Sequence, residues 1–159
     1  MATMTPDQIA QWATAHEEAR RSATQIEPPS FTHPDMDLED AYAIQQAWVD
    51  LQIADGARLV GHKIGLTSKA MQTSMQINEP DFGALLDTMV YDDGAELTAA
   101  TFCDPKIEVE LAFVMGKPLS GLDTTLLDVL SATAYVVPAL ELIDARSYRV
   151  HPELKRART

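Results

Sequence analysis

Two apolar runs late in the chain are each interrupted by glutamate, and this feature most limits the folds open to the sequence. They are Ile107-Glu-Val-Glu-Leu-Ala-Phe-Val-Met115 and Val136-Val-Pro-Ala-Leu-Glu-Leu-Ile143. Residues two apart in a strand share a face, so Glu108 and Glu110 point one way. Ile107, Val109, Leu111 and Phe113 point the other way, toward an expected core. A half-exposed strand with its polar face in water accounts for that pair taken alone. Glu141 shifts the balance, because an unpaired carboxylate inside a buried strand is costly. Three carboxylates on two strands, without an adjoining His or Cys cluster, form a hard oxygen-donor set suited to Mg²⁺ or Mn²⁺. Zinc matches poorly, since His16, His33, His62 and His151 show no ligand spacing.

The strands follow a helical start. Thr5, Pro6 and Gln8 have the spacing of a capping box, and Ile9, Trp12, Ala13, His16 and Ala19 mark one face of a first helix. Glu17, Glu18, Arg20 and Arg21 are placed on its polar face, and Pro28, Pro29 and Pro34 end the pattern. Asp37 is a cap for a second helix over 38–54, with Ala41, Ile44, Trp48 and Leu51 as its apolar stripe and Gly56 as its stop. Trp12 and Trp48 are expected core anchors. The period then changes: a short strand over 58–65, a helical turn over 68–76, a turn at Pro80–Gly83, and a helix over 124–134 between the two apolar runs. Helices first and strands afterwards predict an α+β fold, with a helical region at 1–56 and a β-rich region at 57–159.

The 159 residues suit one domain, and a net charge of −12 repels nucleic acid and anionic lipid. One cysteine, Cys103, allows no internal disulfide, and no run of 18 apolar residues occurs. A cytoplasmic protein without nucleic-acid or membrane partners is expected.

Two further residues stand out. Lys63, within Gly61-His-Lys-Ile-Gly65, is a cation between glycines in an apolar strand; it either lines a pocket for an anionic substrate or snorkels to water. His62 should face the other way. Asp81, in Glu79-Pro-Asp-Phe-Gly83, is either a general base or a turn cap.

Taken in order, these segments resemble a known family. Gly61-His-Lys-Ile-Gly-Leu-Thr-Ser-Lys-Ala70, Glu79-Pro-Asp-Phe-Gly-Ala-Leu-Leu-Asp87, the Glu108-Val-Glu110 pair and Pro138-Ala-Leu-Glu-Leu-Ile-Asp-Ala-Arg146 are similar to signatures of one enzyme group. That group is the divalent-metal hydratase/decarboxylase branch of the fumarylacetoacetate hydrolase superfamily. The match runs from about Asp37 to Arg146. It implies a mixed β-sheet roll of the fumarylacetoacetate hydrolase type, with Glu108, Glu110 and Glu141 as Mg²⁺ ligands. Lys63 and Asp81 would act on a small 2-oxo acid. The ion would bind the C1 carboxylate and C2 oxygen, an acid–base pair would move the double bond, and water would add at C4. His62 beside Lys63 and the Glu-Leu-Ile-Asp-Ala-Arg phrase point to a hydratase for a seven-carbon 2-oxo diacid, in aromatic-compound catabolism. A 4-oxalocrotonate-type decarboxylase is the alternative. Lys106 departs from the pattern by standing where Arg is expected. Family members also continue well past Thr159, which implies a roll incomplete at the C-terminus, an inactive fragment as a third reading, and strand edges that favour a homo-oligomer.

Overall fold

The computed structural model describes residues 3–148. The polar tail beyond Tyr148 lies outside the described residues. The chain forms two compact units, one of residues 3–103 with 146–148, the other Asp104–Ala145. The boundary expected between residues 56 and 57 falls inside the first unit.

In the first unit, α1 (Pro6–Ser22) begins as its capping chemistry dictates. The Thr5 side chain accepts from the Gln8 N–H, and the Gln8 side chain accepts from the Thr5 N–H. Helix α2 (Leu38–Ala54) opens with a reciprocal box between Asp37 and Asp40. Asp40 is fully buried and also accepts from the N–H groups of Thr3 and Met4 and the Thr3 hydroxyl. Burial pushes its carboxyl up, but these hydrogen bonds outweigh that and hold it well below the usual range.

The core of this unit is Ala13, Trp48, Val49 and Leu86. Trp48 anchors it as expected, whereas Trp12 is only half-buried, against the rings of His16 and His33. Two expected face assignments shift. Leu51 is exposed and Gln52 buried, and Glu17 is buried instead of facing water. Glu17 is tolerated because Arg20 donates to it at 2.9 and 2.6 Å, Arg21 at 2.7 Å and the Trp48 indole at 3.0 Å. Charge-assisted bonds of this kind offset the desolvation of a carboxylate.

A hairpin-like pair completes the unit. Strand β1 (Leu59–Gly65) runs antiparallel to β2 (Asp81–Leu86), with α3 (Lys69–Met75), capped by Ser68, between them. Asp81 therefore opens a strand, where a turn was expected. In the second unit β3 (Pro105–Met115) runs antiparallel to β4 (Thr133–Asp144), joined through α4 (Leu126–Ala132). Thr125 and Asp128 form the capping box that starts α4. Among the described residues the strands make two separate two-stranded ladders in place of one mixed sheet.

The face of β3 expected to be core is open. Val109 is 82% exposed, and Leu140 directly opposite is 73% exposed. Ile107, Leu111 and Phe113 on the same face are also exposed. A two-stranded ladder with one short helix has too little material to cover both of its faces.

Candidate metal centre

The β3–β4 register brings the three glutamates together. Glu108 lies directly opposite Glu141, and Glu110, two residues on, lies opposite Ala139. Directly opposed residues and residues two apart share a face, so all three side chains project from the same side. One carboxylate oxygen from each falls within 4.8 Å of the others. Glu110 and Glu141 are half-buried and Glu108 is exposed. Glu141, expected within a buried strand, is only half-buried, because the ladder is uncovered. Lys106 shares their face by alternation, but its ammonium pairs with Asp104 at 2.7 Å.

The donor set fits a hard divalent cation. All three groups are carboxylates, and among the described residues no His or Cys joins them. Oxygens around an octahedral Mg²⁺ at about 2.1 Å lie roughly 3 to 4 Å apart, so small inward rotations close the gap from 4.8 Å.

Lys63 and Asp81 are brought together in the first unit. Lys63 pairs with Gly83 and Gly65 pairs with Asp81, which puts Lys63 and Asp81 on one face of the β1–β2 ladder. Gly61, Gly65 and Gly83 share that face, so much of its floor is bare backbone, with Leu85 beside Gly61 at its far end. Lys63 is half-buried and Asp81 exposed. His62 is exposed on the opposite face, as alternation requires.

Three residues near Asp81 carried no weight in the sequence. A Cβ on Gly65 would overlap Asp81 Oδ1 and sit 3.2 Å from its Cγ. The Tyr42 ring stacks on Phe82 with centroids 4.6 Å apart. The Tyr42 hydroxyl accepts from the Phe82 N–H at 3.4 Å, and Gln45 Nε2 donates to the Phe82 carbonyl at 3.2 Å. The three-residue spacing of Tyr42 and Gln45 along α2 was a usable signal, since such pairs share a helix face.

No family model matches the chain. The chain is nonetheless similar to hydratases over about nine-tenths of its length. It is 56% identical over 142 residues to the 2-oxo-hept-4-ene-1,7-dioate hydratase of Escherichia coli, which covers 89% of this chain and 53% of that protein. Identity to the 2-keto-4-pentenoate hydratase of Paraburkholderia xenovorans is 43% over 143 residues, covering 90% of this chain and 53% of that protein. The 4-oxalocrotonate decarboxylase from Pseudomonas putida G7, solved with magnesium and adipate, superposes with a TM-score of 0.89 at 33% identity. That match covers 95% of this chain and 57% of the decarboxylase. The same enzyme with calcium and acetate gives a TM-score of 0.87 at 34% identity. The chain thus spans about half the length of the curated relatives it matches. The resemblance drawn from the Gly61–Ala70, Glu79–Asp87 and glutamate segments holds.

Proposed function

We propose that this chain carries the metal-binding part of a Mg²⁺-dependent hydratase that adds water to a 2-oxo-alkenoate of the 2-oxohept-4-ene-1,7-dioate type. The observation that carries this reading is the convergence of Glu108, Glu110 and Glu141 across one ladder. The identity to the Escherichia coli hydratase supports the substrate type, and the magnesium and calcium bound by the decarboxylase support a divalent ion. The chain's β-rich part would belong to a fumarylacetoacetate hydrolase-type roll.

Glu108, Glu110 and Glu141 would hold Mg²⁺, with Mn²⁺ as the alternative, and leave the remaining octahedral positions for water or substrate. When bound, the ion supplies Lewis-acid polarisation of the carboxylate and ketone of a 2-oxo acid. Asp81 takes and returns the proton that moves when the double bond shifts. Lys63 pairs with anionic charge on the substrate, for which a compact ammonium over a glycine floor is suited. Both roles are supported by the shared face of the β1–β2 ladder.

The test is to supply 2-oxo-alkenoates with Mg²⁺ and identify the products by NMR. A 4-hydroxy-2-oxo acid product supports the reading. Unchanged substrate, from this chain and from a version extended to the relatives' length, overturns it. The structural likeness to the decarboxylase favours a second reading, decarboxylation of a 4-oxalocrotonate-like acid. Release of CO₂ in the same experiment selects it.

A further inference from the structure

The Asp81 carboxylate is constrained from two sides by residues with no other evident task. On β1, the space that a side chain at position 65 would fill is taken by the carboxylate itself; a Cβ there would overlap Asp81 Oδ1. Gly61 offers a comparison on the same strand, since a Cβ there would meet only Leu85 Cδ1 at an ordinary 3.8 Å. Gly65 does not adopt a positive φ, so its backbone does not itself demand glycine. What demands it is the neighbouring carboxylate. On α2, Tyr42 and Gln45 engage both backbone polar groups of Phe82, and the Tyr42 ring stacks on the Phe82 ring. Phe82 follows Asp81 directly, so fixing its peptide groups fixes the Cα from which the carboxylate projects.

We propose that Gly65, Tyr42 and Gln45 are positioning residues for Asp81: Gly65 leaves open the place its carboxylate occupies, and Tyr42 and Gln45 hold the adjoining backbone. The functional side of this inference rests on Asp81 acting on the substrate. Its geometric side does not. The clash at position 65 involves only the far end of a flexible side chain, so Gly65→Ala should leave the fold intact and turn the carboxylate aside.

The decisive measurement is the Asp81 side-chain carboxyl resonance in the ¹³C-labelled full chain, assigned with Asp81→Asn. In Gly65→Ala that resonance shifts while the other aspartate carboxyls and the melting temperature stay in place. Tyr42→Phe keeps the stacked ring and loses the acceptor, and Gln45→Leu loses the donor. Both speed amide exchange at Phe82 by about tenfold or more, as expected when a locally held peptide group is released. With a turned-over substrate, Gly65→Ala lowers kcat about 10²-fold, the typical cost of a small misplacement. That loss disappears when Asp81 is already Asn. An unmoved Asp81 resonance in a folded Gly65→Ala chain, or unchanged Phe82 exchange in both α2 variants, overturns the proposal. Absence of turnover in the unaltered chain counts against the proposed function, and the resonance still decides the positioning.

Discussion

Glu141 stands directly opposite Glu108 across the β3–β4 ladder, the closest placement that two side chains on neighbouring strands can have. Like charges in that position destabilise a ladder, and Glu110 on the same face adds a third. A cation among them reverses the sign of the interaction. Glu141→Gln is therefore expected to raise the stability of the metal-free protein slightly and to weaken Mg²⁺ binding by at least about tenfold, 1.4 kcal/mol. Melting with and without Mg²⁺ checks both. The unaltered chain should gain about 2.7 kcal/mol at a hundredfold excess of Mg²⁺ over Kd, and the variant no more than about 1.4 kcal/mol at the same concentration. Equal Mg²⁺ stabilisation of the two would remove Glu141 from the site.

Lys63 and His62 are neighbours on opposite faces of β1, which allows a matched comparison. Lys63→Ala is expected to lower turnover of a 2-oxo-alkenoate by about 10²-fold or more, the cost of losing a group that positions the substrate. His62→Ala should have little effect. Equal losses in the two variants would detach Lys63 from the chemistry.

Glu17 gives the fold an acid-sensitive joint. The Arg20 hydrogen bond, against the cost of burial and with help from Arg21 and Trp48, lowers its pKa from 4.5 to about 2. The unfolded chain therefore binds this proton at higher pH than the folded one. The stabilisation is complete above about 4.5 and is lost as pH falls toward 2. Glu17→Ala should flatten this acid limb. It should also cost about 1 to 3 kcal/mol at neutral pH, because the Trp48 indole N–H loses its acceptor. Denaturant melts from pH 2 to 7 compare the two.

His16 adds a second acid-sensitive window at higher pH. Its Nδ1–H donates to the Trp12 carbonyl at 2.8 Å, and its Nε2 lies 3.1 Å from the Ser147 hydroxyl. Burial lowers its pKa below 6.5, the Trp12 bond opposes this, and the Arg146 charge adds to it. The folded chain resists a proton that the unfolded chain accepts. Stability is thus full above about 6.5 and declines as pH falls from there to the folded pKa. His16→Gln should remove that decline, which melting between pH 5 and 8 would reveal.

Much of this was legible in the sequence because it depends on periods and caps. The Thr5–Gln8 and Asp37 caps, and strands over 59–65, 105–115 and 133–144, all occur as expected within a few residues. Glu108, Glu110 and Glu141 were recognisable because charge inside an apolar β-pattern needs a reason. What escaped depends on partners distant in sequence. Glu17 sits at a polar-face position, and only the approach of Trp48 from α2 makes it interior. Gly65 looked like a strand boundary, since the carboxylate that needs its missing side chain lies sixteen residues away, at Asp81. The expected core face of β3 was correct in pattern but stands open, because pattern specifies which face is apolar and not whether anything covers it.

That open face supports the last prediction. Val109 and Leu140 stand opposite each other at 82% and 73% exposure, flanked on one side by Ile107 and on the other by Leu111 and Phe113. Contiguous apolar surface of this kind favours association, and each strand of a two-stranded ladder also offers an unpaired edge. This chain is therefore expected to sediment above monomer mass and to unfold without a single cooperative transition when diluted. A Val109→Lys, Leu140→Glu pair would place opposite charges across the ladder, where they attract each other and resist a neighbouring apolar surface. Because both sites are exposed, each change should alter the stability of the monomer by no more than about 0.5 kcal/mol. The mass should fall toward that of a monomer while Mg²⁺ binding at the glutamates on the opposite face persists. If the chain is instead a compact, cooperatively melting monomer before any substitution, the open face is harmless and the expected association is wrong. If the substitutions unfold it, that face is already covered in solution, and the covering surface becomes the next thing to find.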